Sequence, residues 1–267
     1  MLVNAELGIP MDQITVVHGD TDVVPNGVGT YGSRSLQLGG SAVHQAAVKV
    51  KDQARDLAAS MIEASSADLE FDVSRGSWQV RGDPETALGW AALAERAGPG
   101  GLAAEVDFRP SSPTFPFGAH VAVVEVDTDT GQVTLLRHIT VDDAGLVLNP
   151  VLAEGQRHGG IAQGVAQALL EEVLYDADGN PLTSTLADYA AITATELPSF
   201  ELLASQTPTK VNPLGVKGIG ESGTIGATPA ALSAVVDAVA HLGVRHIDMP
   251  ATPLRVWTAI SEARASR

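Results

Sequence analysis

The chain has 267 residues, of which 45% are hydrophobic, enough to bury the core of one large domain or two small ones. Its formal net charge of −16 disfavours nucleic acid and anionic membranes as partners, and we find neither an export signal nor an apolar run of membrane-spanning length, so we expect a cytoplasmic protein. Because the chain contains no cysteine, disulfides, thiolate metal sites and iron–sulfur ligation are excluded within it.

The first part of the sequence predicts helices and one strand around a glycine-rich loop. A short helix is predicted over residues 2–7 and a strand over residues 14–20. The glycine-rich loop, residues 27–35, leads into a long amphipathic helix. The predicted buried face of that helix consists of Val43, Ala46, Val50, Ala54, Leu57 and Met61.

The glycine-rich loop allows two interpretations. In the first, Ser33 or Ser35 caps the long helix and no ligand is required. In the second, Arg34 places a permanent cation beside N–H and O–H donors at the positive end of a helix, which is how phosphate or pyrophosphate is held. The second interpretation predicts an anionic cofactor.

The middle of the chain predicts two hairpins and a helix with an unusual number of glycines. The predicted strands are 69–73, 78–80, 120–126 and 133–141, and the predicted helices are 89–96 and 155–170. Glycine costs about 1 kcal/mol per helical position relative to alanine. The four glycines in the first turns of helix 155–170 therefore indicate that another backbone or a ligand packs against them.

A second glycine-rich loop, residues 215–223, carries the carboxylate of Glu221 and leads into an apolar helix. Flanking glycines let a bulky ligand approach, and in a dry site such a carboxylate becomes basic enough to act as a general base. Alternatively, the glycines form only a tight loop and C-cap, with Glu221 solvated. Their spacing also matches a dinucleotide-binding fingerprint, but the preceding prolines exclude the buried strand that this fingerprint requires.

Five segments, in order along the chain, resemble the molybdenum hydroxylases. They are residues 18–22, 29–35, 143–150, 155–164 and 215–221. The resemblance runs over about residues 6–260 and is to the C-terminal half of the molybdopterin-binding large subunit of the carbon monoxide dehydrogenase, aldehyde oxidoreductase and xanthine dehydrogenase family. That half would be one part of a catalytic subunit whose first half contributes further cofactor contacts.

We expect an α+β fold in which mixed or antiparallel strands pack with several helices in two joined lobes, with no Rossmann sheet. The first lobe, residues 1–105, would hold the long helix and a small satellite unit of the molybdopterin-binding domain. The second lobe, residues 106–267, would hold the hairpin, the glycine-rich helix and the glutamate loop.

The resemblance implies a role for each candidate site residue. Glu221 matches the family's active-site glutamate, the base that activates the attacking oxygen when an aldehyde, carbon monoxide or an N-heterocycle is oxidised with water as the oxygen source. Lys217 either steadies the glutamate loop or pairs with a surface carboxylate. The implied cofactor-binding residues are Thr30, Gly32, Ser33, Arg34, Ser35, Gln156, Gly160, Gln163 and Lys217.

No metal ligand is expected from this chain, because in the family the dithiolene of the pterin supplies the ligands. The seven histidines are therefore expected to be structural or solvent-facing. The implied cofactor is molybdenum–molybdopterin in its cytosine dinucleotide form, with FAD and [2Fe-2S] clusters only on partner subunits. The implied partners are the N-terminal half of the large subunit, the flavin and iron–sulfur subunits and a small-molecule substrate.

Because both halves contribute cofactor contacts, we expect this chain to be inactive without the N-terminal half. A competing hypothesis is a non-catalytic fragment or scaffold that keeps the fold and has lost cofactor binding. A nicotinamide-dependent dehydrogenase is the third hypothesis, and it is the one that the fingerprint in the glutamate loop would suggest.

Overall fold

The computed structural model describes residues 1–24, 27 and 29–266. The chain divides into two compact units, Met1–Ser112 with Asn212–Leu214 and Pro113–Val211 with Gly215–Arg267. Each unit has helices and a three-stranded sheet, one sheet antiparallel and the other mixed. The predicted α+β class is therefore confirmed. The two lobes predicted over residues 1–105 and 106–267 of this chain stay a prediction.

The first unit packs one long helix and one short helix on an antiparallel sheet. Ala54 and Ala58 of the long helix are fully buried in a cluster with Leu93 and Trp78. Small alanine side chains let the helix approach the sheet closely. The elements are α1 (Leu2–Leu7), α2 (Ser41–Ile62), α3 (Trp90–Ala97), β1 (Leu69–Asp72), β2 (Ser77–Val80) and β3 (Asp83–Gly89).

Three sequence predictions for this unit need correction. The strand predicted over residues 14–20 is wrong: these residues form no strand, and Val16 is 78% exposed, because no neighbouring strand pairs with this segment. Val43 is 43% exposed rather than buried, since the buried face of α2 is the stripe that contains Ala47 and Ala54. The strand β3 was not predicted, because its proline and acidic residues disfavour a strand.

The second unit is built on a hairpin whose inner strand also pairs in parallel with a short third strand. The hairpin confirms the prediction, and the fully buried core combines side chains such as Ile161, Val235 and Ile260 from three helices. The elements are β4 (Phe117–Val126), β5 (Val133–Asp143), α4 (Pro150–Leu169), β6 (Glu201–Ser205), α5 (Ser222–Val239) and α6 (Pro253–Ala265). Short 3₁₀ turns lie at Met11–Gln13, Ser66–Asp68, Ala194–Glu196 and Ala240–Leu242, and a π-helical turn at Leu36–Gly40.

One segment of the second unit, Ser222–Leu242, has the length and the mean hydropathy, 1.4, of a membrane-spanning helix. The expectation that no apolar run reaches this length was therefore wrong. However, one face of α5 is fully buried in the core, with Ala231, Val235 and Val239 each inaccessible to solvent. Only 22% of an 18-residue window of this segment is buried, so α5 packs one face in the core and leaves most of its apolar surface uncovered by the described chain.

Glycines bring the backbones of α4 and α5 into direct contact. A Cβ atom added at Gly160 would lie 3.0 Å from the Cα atom of Gly223, and one added at Gly164 would lie 3.0 Å from the carbonyl oxygen of Thr224. Side chains at these positions would separate the helices. The prediction that another backbone packs against the glycine-rich helix is confirmed.

This contact predicts opposite effects for two adjacent substitutions. We expect Gly160→Ala to lower the free energy of unfolding by about 1–3 kcal/mol, because the methyl group forces the helices apart. Gly159→Ala is the matched control: a Cβ atom there would meet no atom of the described chain within 4 Å, so we expect stabilisation of up to about 1 kcal/mol. Denaturant unfolding measures both, and equal effects would contradict the contact.

Candidate functional site

Glu221 is the N-cap residue of α5, and its side chain makes no capping hydrogen bond to the helix. The residue is exposed, as is Gly220 before it, and Ile225 in the next turn is 69% exposed. The dry surroundings expected for a general base are therefore not supplied by this chain, because this end of α5 points away from the core. A cover for Glu221 would have to come from outside the described residues.

The first turn of α5 packs against the second turn of α4. A Cβ atom at Gly223 would lie 2.8 Å from the carbonyl oxygen of Arg157, the residue that follows Gln156. The hydroxyl of Thr224 lies 3.0 Å from the carbonyl oxygen of Gly160 and 3.4 Å from the side-chain oxygen of Gln163. The structure thus brings the helix start that carries Glu221 to the part of α4 that carries the predicted cofactor-binding residues.

The exposed side of α4 around Gly155 and Gly159 is not covered by other described residues. Gln156 and Gln163 are exposed, and Cβ atoms added at Gly155 or Gly159 would meet nothing within 4 Å in the described chain. Gly160, in contrast, is buried in the contact with α5. A flat ligand could therefore approach the backbone of α4 along its Gly155–Gly159 side, with an amide group nearby to donate hydrogen bonds.

Lys217 anchors the glutamate loop to the interior of the second unit. Its Nζ donates hydrogen bonds to Oδ1 of Asp143 at 2.9 Å and to the hydroxyl of Thr207 at 2.7 Å. Its backbone N–H also donates to the carbonyl oxygen of Ala144 at 2.7 Å. Asp143 is fully buried, so Lys217 steadies the loop before Glu221 and does not pair with a surface carboxylate.

The electrostatics of Asp143 agree with this anchoring role. Burial alone would raise the pKa of its carboxyl group, but hydrogen bonds from Lys217, from the backbone N–H of Gly145 and from Thr207 lower the pKa below its ordinary value. The carboxylate therefore remains charged and continues to hold Lys217 at neutral pH.

The loop at residues 30–35 belongs to the first unit and gathers polar groups at its surface. The hydroxyl of Ser35 donates to that of Thr30 at 3.3 Å, and the guanidinium of Arg34 stacks 3.7 Å above the ring of Tyr31. No carboxylate of residues 1–24, 27 and 29–266 forms an ion pair with Arg34. The side chain of Ser35 makes no capping hydrogen bond, so the capping interpretation fails for that residue.

The backbone of this loop is also unusual. Gly32 and Ser33 have φ angles of 60° and 51°, a left-handed conformation that is costly for serine. The chain then continues through the π-helical turn into α2.

A buried polar cluster in the second unit was missed by the sequence analysis. Nε of Arg157 donates to Oδ2 of Asp142 at 2.7 Å, and the hydroxyl of Thr140 donates to the same atom at 2.8 Å. Nε2 of His120 lies 3.4 Å from Oδ1 of Asp142, and Nδ1 of His120 lies 3.1 Å from Nε2 of His138. These five residues are the buried polar cluster. In the structure His120 pairs with Thr140, so a register worked out for the two predicted strands was the signal that could have revealed it.

The cluster contains one charged pair and one neutral histidine. Burial alone would raise the pKa of Asp142, but hydrogen bonds from His120, Thr140 and Arg157 outweigh it and hold the pKa at about 2. Burial and the adjacent His120 lower the pKa of His138 from 6.5 to about 4. At neutral pH, Asp142 and Arg157 are therefore ionised and His138 is uncharged. That the histidines of this cluster have a purely structural role stays a prediction.

His138 predicts a loss of stability in mild acid. In the unfolded chain its imidazole gains a proton as the pH falls through 6.5, whereas in the folded chain it gains one only near pH 4. The unfolded state therefore binds more protons in this range, and the free energy of unfolding falls as the pH is lowered, by up to about 1.4 kcal/mol per pH unit.

Denaturant unfolding at about pH 7 and about pH 4.5 measures this effect. We expect His138→Gln to remove most of the pH dependence. The exposed His18 provides the control, since His18→Gln should keep the wild-type pH dependence. An unchanged pH dependence in His138→Gln would show that His138 does not control acid stability.

Comparisons with known proteins identify the family of this chain. The molybdopterin cofactor-binding domain family matches residues 1–198. The chain is 41% identical over 268 residues to the carbon monoxide dehydrogenase large chain of Hydrogenophaga pseudoflava, covering 98% of this chain and 33% of that protein. It is 38% identical to the 6-hydroxypseudooxynicotine dehydrogenase complex subunit gamma of Paenarthrobacter nicotinovorans, covering 96% of this chain and 33% of the relative.

The solved structures show the same fold. The structure of reconstituted CO dehydrogenase from Oligotropha carboxidovorans matches with a TM-score of 0.88 and 37% sequence identity, covering 100% of this chain and 34% of that chain. The chain thus spans about a third of the relatives that it matches, not the half expected from the resemblance. The family model covers residues 1–198, and the relatives cover nearly the whole chain. The chain therefore belongs to the molybdopterin cofactor-binding domain family, which is found in the large subunits of molybdenum hydroxylases.

Proposed function

We propose that the chain is the C-terminal portion of a molybdenum hydroxylase catalytic subunit that oxidises carbon monoxide, an aldehyde or an N-heterocycle with water as the oxygen source. Glu221 is its general base. The observation that carries this proposal is the glycine contact between α4 and α5, which holds the start of the Glu221 helix against the turn that carries Gln156. The relatives whose names specify carbon monoxide and a nicotine derivative support this substrate range.

The polar groups of the chain fit an anionic pterin cofactor. In the first unit, Arg34 has no carboxylate partner among the described residues and lies beside the hydroxyls of Thr30 and Ser35. Arginine and hydroxyl donors at a helix start suit phosphate groups, which the proposed cytosine dinucleotide form carries. In the second unit, Gln156 is exposed beside glycines that leave room for a flat ring. These residues, with Gly32, Ser33 and Gln163, would hold the cofactor.

The residues of this chain have separate tasks in the proposed reaction. When bound, molybdenum–molybdopterin supplies the two-electron oxidation and polarises the attacking oxygen. The carboxylate of Glu221 accepts the proton that this oxygen loses, and Gln156 orients the pterin by donating hydrogen bonds from its amide. Lys217, fixed on Asp143, keeps the glutamate loop in place. Since Glu221 is exposed here, the exclusion of water is assigned to another part of the subunit.

The proposal includes the partners and the location. The rest of the large subunit, N-terminal to this chain, completes the cofactor site, and without it the chain is inactive. Separate subunits carry FAD and the [2Fe-2S] clusters, and this chain has no cysteine to ligate iron. The complex is cytoplasmic.

Metal analysis of the purified protein tests the proposal. We expect close to one molybdenum per chain, with dye-coupled oxidation of one of these substrates, only when the chain is produced together with the rest of the large subunit. A completed complex without molybdenum would contradict the assigned function. Stoichiometric molybdenum and turnover by the chain alone would contradict its dependence on the rest of the subunit.

A second candidate function is a non-catalytic fragment or scaffold with the same fold. The exposure of Glu221 favours it, because a carboxylate in water is a poor general base near neutral pH. This scaffold would assemble with its partners but contain no molybdenum and show no turnover, whether or not Glu221 is replaced. Metal analysis and turnover of the wild-type complex therefore separate the two functions.

A further inference from the structure

The buried polar cluster fixes α4 to the sheet of the second unit through one side chain. Arg157 leaves α4 directly after Gln156, and its guanidinium pairs with Asp142 of β5 at 2.7 Å. The same guanidinium donates to the carbonyl oxygen of Leu203 on β6. The side chains of Arg157 and Asp142 are only 6% and 2% exposed, so solvent does not weaken the pair.

The cluster also holds the first turns of α5 at two points. Gly223 packs on the backbone of Arg157, where an added Cβ atom would be 2.8 Å from the carbonyl oxygen. Gly226 packs on the imidazole ring of His120, where an added Cβ atom would overlap the ring atoms. Gly223 and Gly226 lie two and five positions after Glu221, in the first two turns of the helix. The start of α5 therefore cannot shift or rotate without displacing Arg157 or His120.

A charged pair fixes these positions more narrowly than apolar side chains would. A guanidinium is planar and donates hydrogen bonds in fixed directions, and it remains charged at any pH that the protein survives. An apolar core tolerates small displacements as long as its volume is filled. Arg157 thus supplies a directional constraint at the point where α4, α5 and the sheet meet.

We propose that Arg157 is a positioning residue that, through Asp142 and His120, sets the place of Glu221 relative to Gln156. This inference rests on the proposed function, in which both residues face one cofactor. Arg157 itself touches neither cofactor nor substrate. It acts from the buried side, where it fixes the second turn of α4 and the first turn of α5 against the sheet. Its loss leaves a folded protein in which the base and the pterin contact are no longer held in one arrangement.

The double variant Arg157→Met with Asp142→Leu tests the inference, because it removes both charges together and keeps the core filled. Hydrogen exchange of the 267-residue chain should show amides 222–226 exchanging about tenfold faster than in the wild type, with amides near Val235 unchanged. In the completed complex, kcat should fall at least about tenfold while molybdenum content and KM stay near the wild-type values.

The matched control is the double variant Arg255→Met with Glu172→Leu, which removes an ion pair of the same length, 2.7 Å, elsewhere in the second unit. It should leave exchange at 222–226 and kcat unchanged. If the Arg157 double variant does not fold, Arg157→Lys serves instead: it keeps the charge but not the planar geometry, and should show faster exchange at 222–226 in a folded chain.

Wild-type exchange and wild-type kcat in these variants would overturn the positioning role. So would an equal effect in the Arg255 control, because the response would then be general to the unit. Failure of the proposed function is distinguishable, since it shows itself in the wild-type complex as an absence of molybdenum or turnover. That result would overturn the catalytic part of the inference whatever the exchange data show.

Discussion

Replacing Glu221 by glutamine is expected to lower the turnover of the completed complex by about 10²–10⁴-fold while leaving its molybdenum content unchanged. Glutamine has the size and the hydrogen-bonding oxygen of glutamate but cannot accept the proton that the attacking oxygen must lose. Because the substitution keeps the length and shape of the side chain, and that side chain does not cap α5, the helix should be retained. The expected defect therefore lies in kcat and not in folding or cofactor binding.

Steady-state kinetics and metal analysis of the same preparation measure this effect. Glu262→Gln, a substitution of an exposed carboxylate on α6, is the control and should keep wild-type turnover. Turnover within about twofold of the wild type in Glu221→Gln would remove Glu221 from the mechanism. Loss of molybdenum in this variant would instead indicate a role in holding the cofactor.

The second large effect concerns stability. Arg157→Met alone is expected to lower the free energy of unfolding by about 3–5 kcal/mol, because it leaves the carboxylate of Asp142 charged and without its partner inside the protein. Adding Asp142→Leu should restore most of this loss, since no buried charge then remains. Arg255→Met, which breaks a half-exposed pair, should cost no more than about 1 kcal/mol.

Denaturant unfolding of the three variants separates the contributions. The expected order of stability places the Arg157→Met single variant well below both the double variant and Arg255→Met. A double variant that is no more stable than Arg157→Met would show that arginine packing, and not the unpaired charge, accounts for the loss.

Local sequence patterns predicted most of the fold correctly. The helix at Leu2–Leu7, the long helix α2 and the hairpin of β4 and β5 each follow from apolar periodicity and turn residues. The strand predicted over residues 14–20 failed because strand formation depends on a partner, which no local pattern reveals. For the same reason the short β6 was missed: its place is set by pairing with β5.

The sequence supplied candidate site residues but did not show which other residues they contact. The glycines of α4 indicated a close backbone contact, and the structure supplies α5 as the neighbour. The sequence did not show whether Lys217 steadies the glutamate loop or pairs with a surface carboxylate, because its partner Asp143 lies 74 positions away along the chain. The buried polar cluster joins residues of two strands and a helix, so only the folded arrangement shows that their charges compensate one another.

Anomalous diffraction at the molybdenum edge from crystals of the completed complex would locate the metal relative to Glu221. We expect a molybdenum peak on the side of α5 that carries Glu221, close enough for its carboxylate to accept a proton directly or through one water. We also expect pterin density in contact with Gln156. A molybdenum position far from both Glu221 and Gln156, with Glu221 in bulk water, would contradict the proposed role of Glu221.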